Sequence, residues 1–343
     1  MSEMPKLELA HATMPEDDAR RLLAGHEISR GGRTMDPKAQ IVGEFVKSIR
    51  VPCYFPPLPE LRQQLRTMVT LMDEPAPPLA RIEDIAIPGP GGPLPARVYD
   101  AAGEGGSGRP AVAYFHGGGW VQGDLETHHG LCARLALRSG AVIVAVDYRL
   151  APEHPFPAAA EDALAAYRWL RARGRGIGVD PARVAVAGDS AGGNLAAVVS
   201  QQTALAGEPV PTCQVLIYPA LDFALDTPSH RELADAAIIP RDRIEWYVAQ
   251  YLPPGADRLD PRASPLRAAD LSGQPPTLVV TGGFDPLRDE GHAYAERLAA
   301  AKVDVVDREY PGQIHAFVSL TKAIPQGLAA TWEIADYLRQ TLG

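Results

Sequence analysis

Short runs of β-branched and apolar residues recur along the chain from residue 81 onward. Four of them lie at residues 81–87, 94–99, 111–115 and 141–146. Four more follow at residues 184–187, 213–217, 277–281 and 303–306. Runs of this length and composition predict β-strands, so the pattern predicts up to eight strands.

Segments with helical spacing of apolar residues separate the later runs. They are rich in alanine, leucine and arginine and cover residues 127–138, 158–173, 191–205, 289–301 and 327–342. Alternating strands and helices favour a parallel sheet, because each crossover helix returns the chain to the same edge. The predicted fold class is therefore α/β, with a mostly parallel eight-stranded sheet flanked by helices.

Two regions depart from this alternation. Residues 2–78 predict helical pieces broken by prolines, for example at 15–27 and 37–49, without strand alternation. Residues 227–252 predict two helices between one strand and the next, which indicates an insertion over the strand ends. We therefore divide the chain into two core parts, 51–221 and 255–343, and two helical additions, 1–50 and 222–254.

Two stretches rich in glycine and proline lie between the early strands, at residues 88–93 and 102–110. A phosphate-binding loop would need a following Lys-Ser/Thr pair and the start of a helix, and neither is present. Both stretches are therefore predicted to be hairpin turns.

Charge and composition exclude several classes of protein. The 343 residues carry a net charge of -9 and contain no run of Lys or Arg that could neutralise a row of phosphates, so nucleic acid is not expected as a partner. No apolar stretch is long enough to span a bilayer, and the first residues lack the apolar centre of a leader peptide. We expect a cytoplasmic protein without a membrane span.

Cysteine and histidine positions do not predict a metal site. Cys53, Cys132 and Cys213 are far apart and lack C-x-x-C spacing, so we interpret them as buried thiols. His128 and His129 are adjacent, and on a helix they would point about 100° apart, which prevents both from facing one ion. We therefore expect no metal.

The strongest chemical motif is Gly188-Asp189-Ser190-Ala191-Gly192-Gly193. It follows a predicted strand and opens a predicted helix, which is the context of a nucleophile elbow. Glycines two positions either side of the serine avoid steric conflict in the sharp turn. Ser190 is the predicted nucleophile, and the N–H of Ala191 at the helix start is a predicted oxyanion donor. A glycine-rich turn with a helix cap is the structural alternative.

A second motif, His116-Gly117-Gly118-Gly119-Trp120, directly follows the strand at residues 111–115. Consecutive glycines allow backbone N–H groups to converge on the negative oxygen of a tetrahedral intermediate. We predict Gly117 and Gly118 as the donors. The structural alternative is a flexible loop.

A serine nucleophile needs a histidine base and a carboxylate that orients it, and in this fold both lie downstream of the serine. Of His230, His292 and His315, only His315 is expected on a short loop after a strand. His292 belongs to a predicted helix, and we interpret His230 as a solvated or capping residue. His315 is the predicted base.

The predicted acid comes from the segment that follows the strand at residues 277–281. Asp285 is nearest the strand end and precedes Pro286, which suits the first turn of a helix. Asp289 and Glu290 would lie within that helix and support its N-terminal dipole. Asp285 is therefore the predicted acid.

Together these residues resemble the hormone-sensitive-lipase-like esterases, a family IV type of α/β-hydrolase. The resemblance extends to the segments 121–128, 147–159, 263–266 and 285–289. It implies a cap formed by the N-terminal helices and the insertion, covering an acyl or alcohol pocket. It also implies hydrolysis of small-molecule esters with short to medium acyl chains, no cofactor, and a possible homodimer.

The resemblance carries over Ser190, Asp285 and His315 as the triad. Within 147–159 it implies that Arg149, Glu153 and His154 support the active-site loops. The substrate-binding candidates are Trp120, Phe223 and Trp246, and further candidates are Tyr54, Phe55 and Tyr247.

Three functions are compatible with these motifs. A serine carboxylesterase leads; an amide or acetyl-group hydrolase would use the same triad and differ only in its pocket. A ligand receptor of this fold is the third, and such receptors lack a triad residue that is present here.

Overall fold

The computed structural model describes residues 7–103 and 108–343. The N-terminal region contains four helices within this part, in agreement with the helical prediction. These are α1 (Leu9–Ala12), α2 (Glu16–Leu22), α3 (Pro37–Ile49) and α4 (Leu58–Met72). Asp36 caps α3 by accepting from the N–H groups of Lys38 and Ala39. Between α2 and α3 lies a short antiparallel ribbon that the sequence did not predict, β1 (Ser29–Arg30) with β2 (Arg33–Thr34).

A single sheet of eight strands forms the centre of the described chain. The strands are β3 (Arg81–Gly89), β4 (Gly92–Asp100), β5 (Arg109–Phe115), β6 (Val142–Val146), β7 (Val179–Asp189), β8 (Gln214–Ile217), β9 (Thr277–Phe284) and β10 (Val305–Ile314). Their order is β10-β9-β8-β7-β5-β6-β4-β3. Along this order every neighbouring pair from β10 to β6 is parallel. Strand β4 is antiparallel to both of its neighbours, β6 and β3. The mostly parallel eight-stranded sheet is confirmed.

Helices cover both faces of this sheet. They are α5 (His129–Ser139), α6 (Ala158–Arg173), α7 (Ala191–Leu205), α10 (Arg288–Ala300) and α11 (Pro325–Leu342), while α8 (Pro228–Glu232) and α9 (Arg241–Tyr251) form the predicted insertion. Side chains alternate across the sheet. Ala113 and Phe115 of β5 pack into the core on the α6, α7 and α10 side, whereas Val112 and Tyr114 pack into the core beneath α5 and α11.

Two sequence interpretations are wrong. The stretch 88–93 does connect an antiparallel hairpin, but 102–110 does not, because β6 lies between β4 and β5 in the sheet. Residues 104–107 of that stretch lie outside the described residues, as does the start of the predicted helical region at residues 2–6. Cys132 and Cys213 are buried as expected, but Cys53 is exposed because it lies on the surface loop between α3 and α4.

Within residues 7–103 and 108–343, no helix combines the length and the apolar character needed to cross a bilayer. The same part of the chain holds no group of three or more His, Cys, Asp or Glu residues arranged to bind a metal. The division into cap and core segments stays a prediction.

Candidate active site

Ser190 lies at the turn between β7 and α7, at the carboxyl edge of the sheet. Its backbone has φ 55° and ψ -116°, a left-handed conformation that is strained for a residue with a side chain. The Ser190 N–H donates to the Ile217 carbonyl oxygen at 2.8 Å, and the Asn194 N–H donates to the Ser190 carbonyl oxygen at 3.1 Å. These bonds to β8 and α7 hold the strained turn in place.

The glycines on either side of Ser190 permit this turn by allowing close backbone approach. A Cβ atom on Gly192 would lie 1.8 Å from the carbonyl oxygen of Phe115. A Cβ atom on Gly188 would lie 2.3 Å from the carbonyl oxygen of Gly192. Neither position tolerates a side chain, because both neighbours are backbone atoms that cannot rotate away.

The structure brings Ser190, His315 and Asp285 into one hydrogen-bonded chain. His315 Nε2 lies 3.0 Å from Ser190 Oγ, and His315 Nδ1 lies 2.6 Å from Asp285 Oδ2. Asp285 follows β9 and His315 follows β10, and parallel neighbours end at the same edge of the sheet. Asp285 is fully buried, and its second oxygen accepts from the Leu287 N–H at 2.9 Å. The carboxylate is thus fixed on both oxygens.

The two other downstream histidines lie in different surroundings. His292 Nδ1 lies 2.7 Å from Asp307, and this hydrogen bond raises the pKa of His292. His230 is 1% exposed, and its Nε2 lies 3.2 Å from Glu290. The interpretation of His230 as solvated or capping is therefore wrong, because α8 is covered by α10.

Glu290 has a larger structural role than support of a helix dipole. It lies in the first turn of α10, and besides facing His230 it accepts from the Leu221 N–H at 2.8 Å. Burial raises the pKa of Glu290 to about 7, although the hydrogen bond to His230 acts in the opposite direction. Glu290 thus joins the core helix to the insertion and to the segment after β8.

The predicted oxyanion loop, residues 116–122, approaches Ser190 from the end of β5. The Gly117 N–H already donates to Asp189 Oδ1 at 2.9 Å and lies 3.3 Å from His128 Nε2, so the prediction of Gly117 as an oxyanion donor is wrong. The N–H groups of Gly118, Gly119 and Ala191 have no hydrogen-bond partner in the described part of the chain. Gly119, with φ 62°, is a further candidate donor, and the sequence signals it only through its place in the glycine triplet.

Asp189 anchors this loop from below. Its Oδ1 accepts from the Tyr114 hydroxyl at 2.7 Å and lies 3.1 Å from His128 Nε2. Burial opposes the charge on both partners, but their mutual attraction dominates. It lowers the pKa of Asp189 and raises the pKa of His128. The loop therefore rests on a buried carboxylate that also accepts from the Gly117 N–H.

A cavity of about 730 Å³ opens above Ser190 and His315. One wall comes from α3, α4 and the loop between them, and the other from the segment 220–248. Most of the lining side chains are apolar, including Phe45, Ile49, Leu65, Met68, Met72, Leu225, Ile239, Ile244, Val248 and Leu287. The sequence pattern does not predict that α4 forms a wall of this cavity.

The predicted pocket aromatics divide into two groups. Trp120 and Phe223 line the cavity, with their ring centroids 5.1 Å apart, and Tyr54 and Tyr247 line it as well. Trp246 does not line it, and its ring instead stacks on Phe55 with centroids 4.6 Å apart. The selection of Trp246 and Phe55 is therefore wrong.

The segment after β6 forms the supporting ion pairs that the resemblance implied. Arg149 binds Asp162 of α6 at 2.8 Å, and Glu153 binds Arg62 of α4 at 2.8 Å. His154 donates its backbone N–H to Leu150. The segment thus connects the core to the wall of the cavity.

The sheet order and the serine-histidine-aspartate arrangement at its carboxyl edge define the α/β-hydrolase class. Residues 112–319 match the family described as alpha/beta hydrolase fold, and the chain belongs to this family. It is similar to the carboxylic ester hydrolase LipN of Mycobacterium tuberculosis, with 40% identity over 340 residues, which cover 96% of this chain and 89% of the relative.

Solved structures give the same assignment. An ester hydrolase from the metagenome of Lake Arreo, in complex with a bipyridine phosphonate derivative, has a TM-score of 0.86 and 39% identity, covering 89% of this chain and 98% of that one. A hyperthermophilic esterase of Pyrobaculum calidifontis has a TM-score of 0.80 and 43% identity, covering 88% and 97%. The resemblance to the hormone-sensitive-lipase-like esterases is confirmed.

Proposed function

We propose that this chain is a serine carboxylesterase that hydrolyses short- to medium-chain acyl esters through an acyl-enzyme intermediate. The observation that carries the proposal is the hydrogen-bonded chain from Ser190 through His315 to Asp285. Its serine end lines the apolar cavity. The names of the relatives, which are ester hydrolases and esterases, support the reaction class.

Acylation begins when Ser190 Oγ attacks the ester carbonyl carbon. His315 Nε2 accepts the serine proton as the bond forms, while Asp285 orients the ring and stabilises the imidazolium. The N–H groups of Gly118, Gly119 and Ala191 donate to the negative oxygen of the tetrahedral intermediate. When the intermediate collapses, the carbon–oxygen bond of the ester breaks and His315 protonates the leaving alcohol.

Deacylation repeats these steps with water as the nucleophile. His315 accepts a proton from water as the water oxygen attacks the carbonyl carbon of the acyl group bound to Ser190 Oγ. Collapse of the second tetrahedral intermediate breaks the bond to Ser190 Oγ, which regains its proton from His315. The products are the carboxylic acid and the free enzyme, and the cycle requires no cofactor.

The walls of the cavity support an apolar acyl or alcohol group. Water-excluding side chains from α3, α4 and α9 surround the serine, and burial of each methylene stabilises the bound ester by about 0.8 kcal/mol. The partner is therefore a small-molecule ester. A cytoplasmic location, the absence of a nucleic-acid partner and a homodimer stay predictions.

The test is to replace Ser190 with alanine. We expect S190A to lower kcat for p-nitrophenyl butyrate by about a millionfold and to abolish labelling by a fluorophosphonate probe. Ser200 lies on α7, the helix that Ser190 precedes, and its hydroxyl donates to the Ala196 carbonyl oxygen, so S200A is the matched control and keeps both activities. Undiminished hydrolysis by S190A would refute the assignment, and binding of a ligand without any probe reaction in the wild type would favour a receptor.

A further inference from the structure

The inserted helix α9 contacts the oxyanion loop directly. The ring of Tyr247 packs on the backbone of Gly119 so closely that a Cβ atom there would lie 2.4 Å from Tyr247 Cγ. Glycine is thus the only residue type that position 119 accepts without displacement of the helix. Helix α9 therefore acts as a wall against which this part of the loop rests.

A hydrogen bond ties the same tyrosine to the far end of the loop. The Gln122 side-chain amide donates to the Tyr247 hydroxyl at 2.9 Å, and the two residues are 6% and 7% exposed. A hydrogen bond buried in this way resists exchange with water, because breaking it leaves a desolvated polar group. Tyr247 thus holds Gln122 in one position.

Gln122 in turn holds the peptide that carries the Gly119 N–H. Its backbone N–H donates to the Gly118 carbonyl oxygen at 3.0 Å, and the Val121 N–H donates to the same oxygen at 3.2 Å. The Gly118 carbonyl and the Gly119 N–H belong to one planar peptide unit, so an oxygen fixed on one side directs the N–H to the other. The direction of this N–H therefore depends on Gln122 and on the ring of Tyr247.

We propose that Tyr247 is a positioning residue through which the inserted segment fixes the Gly118–Gly119 peptide for transition-state stabilisation. The proposal rests on the proposed function, since the Gly119 N–H matters only if an oxyanion forms. It means that the insertion does more than shape the pocket. The catalytic rate therefore depends on the placement of α9 over the loop.

Kinetics of Y247F and Y247A with p-nitrophenyl butyrate test this role. Y247F removes the acceptor for Gln122 and keeps the ring, and we expect kcat to fall about three- to tenfold with KM nearly unchanged. Y247A removes the ring as well, and we expect kcat to fall about a hundredfold, close to the loss of one oxyanion donor. The matched control is Y251F on the same helix, whose buried hydroxyl has no partner among the described residues.

A double-variant cycle identifies the hydrogen bond as the route. Q122M removes the donor with little change of shape, so Y247F and Q122M should lower kcat by similar factors and the double variant by no more than either. Multiplicative effects would overturn the route through Gln122. A rise in KM with unchanged kcat in Y247F and Y247A would show that Tyr247 only contacts substrate, which overturns the proposal.

A measurement without substrate separates this proposal from the proposed function. Amide hydrogen exchange, followed by mass spectrometry on the peptide containing residues 117–122, should be faster in Y247A than in the wild type and unchanged in Y251F. Equal exchange in all three proteins would overturn the positioning role even if the wild type is an active esterase. If the wild type showed no esterase activity but Y247A still exchanged faster, the proposed function alone would be refuted.

Discussion

The catalytic edge of the sheet and the walls of the cavity above it are built in different ways. Ser190, Asp285 and His315 each follow the end of a strand, and the last two are 0% and 5% exposed. The cavity walls come from helices and loops with partly exposed apolar residues, such as Ile49 at 65%. The sheet therefore fixes the three residues of the triad, and we expect substrate choice to depend on segments that can change without disturbing the sheet.

Among variants that keep the Ser190 nucleophile, the largest effect should come from D285N, which acts on the catalytic edge. The amide carries no charge to stabilise the imidazolium and can donate to His315 Nδ1, which favours the wrong tautomer, so kcat should fall about 10⁴-fold for every ester tested. The control D289N changes a carboxylate that binds the Ser229 N–H instead, and it should stay within about twofold of the wild type. If both variants have similar rates, Asp285 is not the acid.

The next effect should appear where the core meets the insertion, at Glu290. Burial raises the pKa of Glu290 to about 7, because the buried site disfavours the charged carboxylate. The folded protein is therefore more stable at low pH, where Glu290 is protonated. This contribution to the free energy of unfolding is complete below the usual glutamate pKa and is lost as pH rises through 7.

The variant E290Q should remove this dependence. We expect the wild type to lose stability between pH 5 and pH 8 in denaturant titrations, and E290Q to show a flatter profile. The control E296Q changes an exposed carboxyl of the same helix and should follow the wild type. A profile of E290Q parallel to that of the wild type would contradict the assignment.

The smallest effect should come from the wall of the cavity. Met68 of α4 lines it and is half-buried, so M68W should narrow the pocket and lower kcat/KM for p-nitrophenyl octanoate about tenfold, while p-nitrophenyl acetate changes little. Thr70 is exposed on the same helix outside the cavity, and T70W should leave the preference between the two esters unaltered. Equal losses on both esters would show that this wall does not select chain length.

The same division explains what the sequence could predict. The elbow and the order of acid and base were readable because glycine spacing and strand ends leave few alternatives. The direction of the Gly117 N–H was not readable, since it depends on a hydrogen bond to Asp189 that only the folded loop creates. The choice between Trp246 and Tyr247 failed for a related reason. Adjacent residues on a helix point about 100° apart, and the side facing the cavity depends on how α9 packs.

The burial of His230 shows a further limit. A histidine in a polar insertion suggests contact with water, but α10 covers α8 and supplies Glu290 as its partner. That contact joins residues 60 positions apart in sequence, and no local pattern encodes it. The sequence does not reveal the α4 wall, because the amphipathic pattern of α4 follows a proline-rich loop and does not indicate which partner the helix faces.

Cys53 lies where the two parts of the cavity wall meet, and its position has a practical consequence. It is exposed on the loop after α3, its backbone N–H donates to Asp242 of α9 at 2.9 Å, and the cysteines at 132 and 213 are buried. A thiol-reactive fluorophore would therefore attach at this seam in the unmodified protein. Its emission would report, in real time and without any substitution, whether the two parts of the wall separate when an ester enters.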